Sequence, residues 1–420
     1  MSDGMLLPAS PQSGLRGRSP RSRVDGNSVA TKTSRSLGIL ERTAPNDSRV
    51  GMYLHVPFCV KKCYFCSFNT APMGDDAMRA YLRALHREID LVGAVGWARQ
   101  PAVETIFFGG GTPSLLTGDA LAEILERLRQ TFVVDRDAEI TVESNPESLD
   151  AEKLGRYRHA GVNRISLGVQ TLDDDILPAI GRLHDAPTAH AAFSACREVG
   201  FDNVSVDLMY GLPGLDVTGW TRAVRAVLEW EPDHLSAYGL TLDAGSLWEA
   251  SGVNGLPAED TVVAQYWTLA RETASRGFEH YEISNYARPG RRSRHNQIYW
   301  RRGEYLALGP GACGFVGDVR YANVKPVARY TALLETDTLP IDTTERLTAA
   351  QALGERLFLG LRTSDGVARE VLDARLARAS ALRQRVEGWI TDGLMHTDHE
   401  RVRLTERGFL VSDALFVELL

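Results

Sequence analysis

Cys59, Cys63 and Cys66 fall close together in the stretch Tyr53-Leu-His-Val-Pro-Phe-Cys59-Val-Lys-Lys-Cys63-Tyr-Phe-Cys66-Ser-Phe68, spaced C-x3-C-x2-C. Thiolates are the usual ligands of iron–sulfur clusters, and a four-iron cluster ordinarily takes four of them. Three closely spaced thiolates hold three irons and leave the fourth open to a small molecule. A zinc site would call for paired ligands, such as a second C-x2-C downstream. Cys196 and Cys313 stand alone and supply no such pair. A disulfide framework suits small secreted chains, and this one has 420 residues. The trio therefore reads as a cluster site, on a loop directly after the apolar run Val50–Val56. Parallel α/β folds put their chemistry on such loops.

The elements that must position this loop alternate along the chain. Short β-branched or aromatic runs at Val50–Val56, Glu104–Phe108, Ala138–Glu143, Arg164–Gly168, Asn203–Leu208 and His234–Leu240 read as strands. Helical spacing recurs between them, at Met78–Val95, Leu121–Phe132, Pro187–Val199 and Trp220–Trp230. In the first of these, Leu82, Leu85, Ile89 and Val92 share one face. Alternating β and α at this spacing predicts an α/β fold of βαβ units around a parallel sheet. Six units are too few for a closed eight-stranded barrel. Periodicity alone leaves an open barrel and a doubly wound sheet equally possible.

The second strand runs into Gly109-Gly110-Gly111-Thr112-Pro113. Consecutive glycines after a strand let the backbone approach a ligand without Cβ clashes and leave N–H groups free to bind it. Glu143 ends the third strand, which Pro146 stops. Gln170 follows the fourth, with Arg182 a short helical segment (Asp173–Ile180) later, and Asp207 belongs to the fifth. Each polar residue alone reads as a surface or capping group. Gathered at the C-terminal ends of successive strands, they can line one pocket.

The three-cysteine spacing followed by Gly-Gly-Gly-Thr-Pro resembles the radical S-adenosylmethionine (SAM) enzymes. The text Y-L-H-V-P-F-C and C-Y-F-C-S-F is similar to the HemN/HemW family, from about Val50 to the C-terminus. That resemblance implies a partial (β/α)6 barrel over residues 50–285, a connecting segment over 286–345 and a C-terminal module over 346–420. It implies a [4Fe-4S] cluster on Cys59, Cys63 and Cys66, and an electron donor. SAM would be bound by Tyr53, Phe65, Gly110, Gly111, Thr112, Glu143, Gln170, Arg182 and Asp207. The run His295-Asn296-Gln297-Ile298-Tyr299-Trp300 matches the family's H-N-x-x-Y-W, which is associated with heme. His295, Asn296, Tyr299 and Trp300 are thus expected to bind heme, imidazole on iron and flat rings against the macrocycle. Cys313 stands where the family usually has His; a thiolate there could ligate heme iron, but a buried or incidental cysteine is the expectation.

Within the family, coproporphyrinogen III oxidases carry a further cysteine two residues after the third, where this chain has Phe68. The resemblance therefore favours the branch that carries heme to acceptor proteins. SAM-dependent methyl transfer in secondary metabolism, or oxidative decarboxylation of coproporphyrinogen III, would be the enzymatic alternatives.

Composition sets the surroundings. Net charge is −7, so no global basic field argues for nucleic acid. No apolar run reaches the ~20 residues of a membrane helix, and free thiols predict a reducing, cytoplasmic setting. Residues 1–49 hold eight Lys or Arg against four Asp or Glu, with little apolar matter, and read as a disordered basic tail. Their Arg- and Ser-rich composition also resembles a transit peptide, without its amphipathic helix. Toward the C-terminus, helical stretches at Leu347–Leu361, Glu370–Leu376 and Ala379–Asp392, a hairpin at His396–Leu404 and a last helix suggest a winged-helix-like cap over the barrel. Its charges are mixed, which argues against nucleic acid there too.

Overall fold

The structure, a computed structural model, describes residues 40–377 and 379–419. Six parallel strands form its centre: β1 (Arg49–Val56), β2 (Ala102–Gly110), β3 (Val133–Ser144), β4 (Arg164–Gln170), β5 (Val204–Tyr210) and β6 (His234–Gly239). They pair in chain order, each parallel to the next. A doubly wound sheet would reverse direction at a switch point, so this order selects the (β/α)6 arrangement. The barrel is open, because β1 and β6 pair outward rather than with each other. Beyond β6 lie the short antiparallel strands β8 (Asn285–Ala287) and β7 (Glu279–Glu282). The single strand-like run over Tyr281–Ala287 is thus a hairpin. On the far side of β1, the segment after residue 286 adds β9 (Tyr305–Leu308), β10 (Cys313–Val316), β11 (Val319–Asn323) and β12 (Ile341–Arg346). What the sequence reads as a connector extends the same sheet to 12 strands.

The crossover helices start where the chain offers a cap. α1 (Asp75–Gly93) buries Tyr81, Leu85, Ile89 and Val92. α2 (Gly118–Thr131) begins after Thr117, whose hydroxyl accepts from the Ala120 N–H. Asp150, Asp185 and Asp216 cap α3 (Ala151–His159), α4 (Ala186–Val199) and α5 (Val217–Glu229) in the same way, and α6 (Glu259–Ser275) follows β6. Such caps contribute roughly 1 kcal/mol each by satisfying an orphan N–H. The α3 helix escapes sequence reading because only Leu154 and Tyr157 of its nine residues are buried.

Residues 40–49 are not part of a loose tail. Leu40 is buried, its carbonyl accepts from the Trp97 indole at 2.6 Å, and the Asp47 N–H donates to Glu304 at 2.8 Å. The disorder expected for 1–39 lies outside the described residues. The C-terminal module carries helices Ala349–Leu361, Arg369–Leu376 and Ser380–Thr391 beside a three-stranded sheet, Val367–Ala368 with the hairpin Met395–Thr397 and Arg401–Leu404. It has its own core, with Leu357, Leu361, Val402 and Phe409. It packs against α7 (Arg294–Trp300), through the Arg362 guanidinium over the Trp300 ring (4.7 Å) and an Arg302–Glu355 ion pair that is nearly buried (3.0 Å).

One buried carboxylate ties α1 to the added strands. Glu88 accepts from the Gly309 N–H (2.7 Å), the Asn323 amide (2.6 Å) and the Tyr330 hydroxyl (2.6 Å). Burial lifts it from 4.5 to about 7, against the pull of those donors. The folded state therefore holds this proton more tightly than the unfolded chain. Its stabilising contribution is full below about pH 4.5 and fades as pH rises through about 7. Relative to Glu88→Gln, the wild type should lose roughly 3 kcal/mol between pH 4.5 and 8, read from urea midpoints across that range. Parallel pH profiles for the two proteins would refute this.

Candidate functional site

Three loops converge at the C-terminal ends of β1 to β4. The cysteine loop is anchored at several points: Ala71 N–H to Pro57 carbonyl (2.7 Å), Met73 N–H to Cys59 carbonyl (3.0 Å) and Tyr64 N–H to Ile180 carbonyl (3.2 Å). Asn69 sends its amide to the carbonyls of Pro310 and Lys325, both at 2.9 Å. His55 holds the other side of Asn69, with Nε2 2.8 Å from its carbonyl and Nδ1 3.0 Å from the Tyr53 hydroxyl. Burial lowers His55 to about 4, so it is a neutral strut. Asn69 does not stand out in the sequence, since its amide reaches backbone carbonyls more than 200 residues along the chain.

Cys63 and Cys66 are buried and Cys59 is partly so. The Thr112 hydroxyl donates to Cys59 Sγ at 3.6 Å, and Arg182 Nη1 donates to Cys63 Sγ at the same distance. Burial pushes the Cys66 thiol up to about 11. Among the described residues, no three His, Cys, Asp or Glu side chains converge as the ligands of a single metal ion.

The glycine loop lies directly against them. The Gly111 N–H donates to the Val56 carbonyl at 2.8 Å, and a Cβ on Gly111 would stand 2.6 Å from the Phe58 carbonyl oxygen. Gly110 sits at φ +116°, a left-handed conformation, with the His55 ring where a side chain would go. Its N–H donates to Glu143 at 3.2 Å. Asn145, which sequence reading passed over, links the loops: its carbonyl accepts from Arg182 (2.8 Å) and its amide donates to Thr112 (3.4 Å). Arg182 also donates to the Gly168 carbonyl at 2.6 Å.

Gln170 ends β4 at φ +68°, a strained position for a side-chain-bearing residue. Its side-chain carbonyl accepts from Tyr238 at 2.7 Å, while its buried Nε2 has no partner among the described residues. Arg182 Nε is likewise buried and unmatched. Orphaned donors of this kind cost about 1–3 kcal/mol each, and a ligand offering acceptors would relieve them. Phe65 is buried and tilts against Trp248, rings 6.3 Å apart. Asp207 does not lie at a strand end. It pairs with Gly168 in the middle of β5 and accepts from the Ser166 hydroxyl at 3.0 Å, because the apolar run continues through Leu208, Met209 and Tyr210.

The heme-associated run is elsewhere. It forms α7, whose His295 reaches the middle of β2 at Thr105 and Phe107, and Phe107 in turn stacks on Tyr53 (6.3 Å). His295 Nδ1 meets the Thr105 hydroxyl at 2.7 Å and Nε2 meets the Tyr299 hydroxyl at 2.8 Å. Its ring stacks on Phe107 at 5.0 Å, and burial lowers it to about 3. Both ring nitrogens are engaged, so the imidazole offers no free lone pair to iron. Asn296 is buried as well, its N–H bonded to the Ser293 hydroxyl (3.3 Å), and Tyr299 is held edge-on against Tyr305 (4.6 Å). Cys313, expected to be buried, is exposed at the start of β10.

Residues 53–225 match the radical SAM superfamily pattern. "Heme chaperone HemW" of Bacillus subtilis is 34% identical over 87% of this chain and 97% of its own length. The chain belongs to the HemN/HemW family of radical SAM proteins. The Mycobacterium tuberculosis HemW is 38% identical over 88% of this chain and 94% of the relative. "Radical S-adenosyl methionine domain-containing protein 1, mitochondrial" of Bos taurus is 34% identical over 96% and 95%. The solved coproporphyrinogen III oxidase HemN of Escherichia coli shares the fold with a TM-score of 0.78, at 22% identity over 92% of this chain and 93% of that one. Membership in this HemN/HemW family implies a [4Fe-4S] cluster and SAM as cofactors. Among the described residues no helix is long and apolar enough to cross a membrane.

Proposed function

We propose that this HemW-like radical SAM protein holds a [4Fe-4S] cluster on Cys59, Cys63 and Cys66, binds SAM beside it, and carries heme to acceptor proteins in the cytoplasm. The observation that carries the reading is the near-complete coverage of relatives named heme chaperones, 97% of one and 94% of another. Phe68, in place of the oxidase's extra cysteine, supports it against porphyrinogen oxidation. When bound, the cluster and SAM supply one-electron cleavage of the sulfonium. Around them, Gly110, Gly111 and Thr112 present backbone and hydroxyl groups, and Gln170 and Arg182 offer unmatched donors. Arg182 holds positive charge against Cys63, while Tyr53, Phe65 and Phe107 exclude water. Glu143 accepts the Gly110 N–H and sets that loop's height. An electron donor would dock at this face.

The test is heme retention after gel filtration of anaerobically reconstituted protein. About one heme per chain, passed on to an apo-acceptor on mixing, is the expected result. Protein that takes up its cluster and SAM yet keeps no heme would overturn the carrier reading and favour a SAM-dependent enzyme.

A further inference from the structure

The underside of the barrel meets the C-terminal module at a cavity of about 260 Å³. Four guanidiniums line it, from Arg292, Arg301, Arg356 and Arg401, against one carboxylate, Asp365. Asp365 is shared between Arg292 (3.0 Å), which also pairs with Glu279 (3.1 Å) outside the cavity, and the more distant Arg301 (4.0 Å). Arg401 spends its donors on the carbonyls of Asp365 (2.6 Å) and Gly366 (2.9 Å), which cancel no charge. Arg356 is exposed and makes no ion pair among the described residues. On a chain of net charge −7 this is a concentrated positive site.

Beside the polar Gln297 and Thr363, one part of the wall is apolar. Val367, Ala368 and Val371 come from the module and Trp300 from α7. Trp300 is only 7% exposed, and its indole N–H is buried without a partner among the described residues. Inorganic phosphate would use the guanidiniums and leave the apolar wall idle. An apolar body with carboxylates on one edge uses both. The volume is below that of pockets that enclose drug-sized ligands, so such a body would insert its acidic edge and leave the remainder outside.

We infer that this cavity is the docking site for the propionate edge of a porphyrin, with Arg301 and Arg356 pairing with the carboxylates and the Trp300–Val371 wall meeting the ring. The inference rests on the heme-carrier reading. It shifts the role of the H-N-x-x-Y-W run: Trp300 contacts the ligand, while His295 secures the helix that presents it.

The experiment titrates wild type and the Arg301→Gln/Arg356→Gln double variant with protoporphyrin IX and with its dimethyl ester, following ligand fluorescence. Both arginines are exposed, so melting temperatures should match. Wild type should bind the diacid about tenfold more tightly than the variant does, with an affinity that falls as salt rises. The diester should bind both proteins alike, at the weaker level. Equal diacid binding by wild type and variant would place the porphyrin elsewhere and leave the carrier reading standing. No binding to wild type would remove both.

Discussion

Replacing Cys59, Cys63 and Cys66 together by Ser should leave a folded protein that takes up no cluster. Iron and sulfide content after anaerobic reconstitution, expected near four of each per wild-type chain, should fall to background. The sulfur-to-iron charge-transfer absorption should vanish with them. Each single substitution should lose most of it, because a cluster held by two thiolates has no third point to fix its orientation. The loop itself should survive. Its anchors are the Asn69 bonds to Pro310 and Lys325 and the backbone pairs at Tyr64, Ala71 and Met73, none of which uses a thiol. A melting temperature within a few degrees of wild-type apo-protein is the control. Full iron loading in the triple variant would sink the assignment. Substituting Cys196, buried on α4 and far from the loop in sequence, should change no iron.

Much of this centre is written locally. Cysteine spacing, glycine triplet and strand-terminal Glu143 are short-range patterns, and short range is what a sequence displays. The six strands are equally legible because buried parallel strands are continuous apolar runs. What escaped depends on partners far along the chain. Asn145 joins Arg182 to Thr112, Asn69 joins the cysteine loop to the strands after residue 300, and Glu88 reaches three residues more than 200 positions away. Asp207 was misplaced within its strand because a strand's end is set by where its neighbour's pairing stops. Cys313 was read from the average behaviour of cysteine, and an exposed thiol at a strand's start departs from it. The added strands β9 to β12 are short and rich in glycine at their turns, so the run after residue 286 reads as a connector until their pairing is seen.

At His295 the residue type and the geometry point to different roles. Its residue type invites a bond to iron, but the geometry makes it a keystone. Replacement by Ala would leave the Thr105 and Tyr299 hydroxyls unmatched, remove the stack on Phe107 and open a cavity under α7. Those losses together should cost about 3 kcal/mol of stability, seen as a lower urea midpoint in apo-protein. Acid should discriminate further. Folded His295 titrates at about 3, below its ordinary 6.5, so the unfolded chain binds the proton more readily. The contribution is complete above about pH 6.5 and is lost at up to ~1.4 kcal/mol per pH unit as pH falls toward 3. Glu88 acts in the opposite sense over part of that window, so the comparison must be between variants rather than against a flat baseline. His295→Gln, which keeps a donor and an acceptor but cannot titrate, should lose less stability at pH 7 than His295→Ala. It should also be less acid-sensitive than wild type. Porphyrin binding by His295→Gln should match wild type, since Trp300 and the guanidiniums stay in place. A well-folded His295→Gln protein that loses heme but still binds iron-free porphyrin would return the imidazole to the iron.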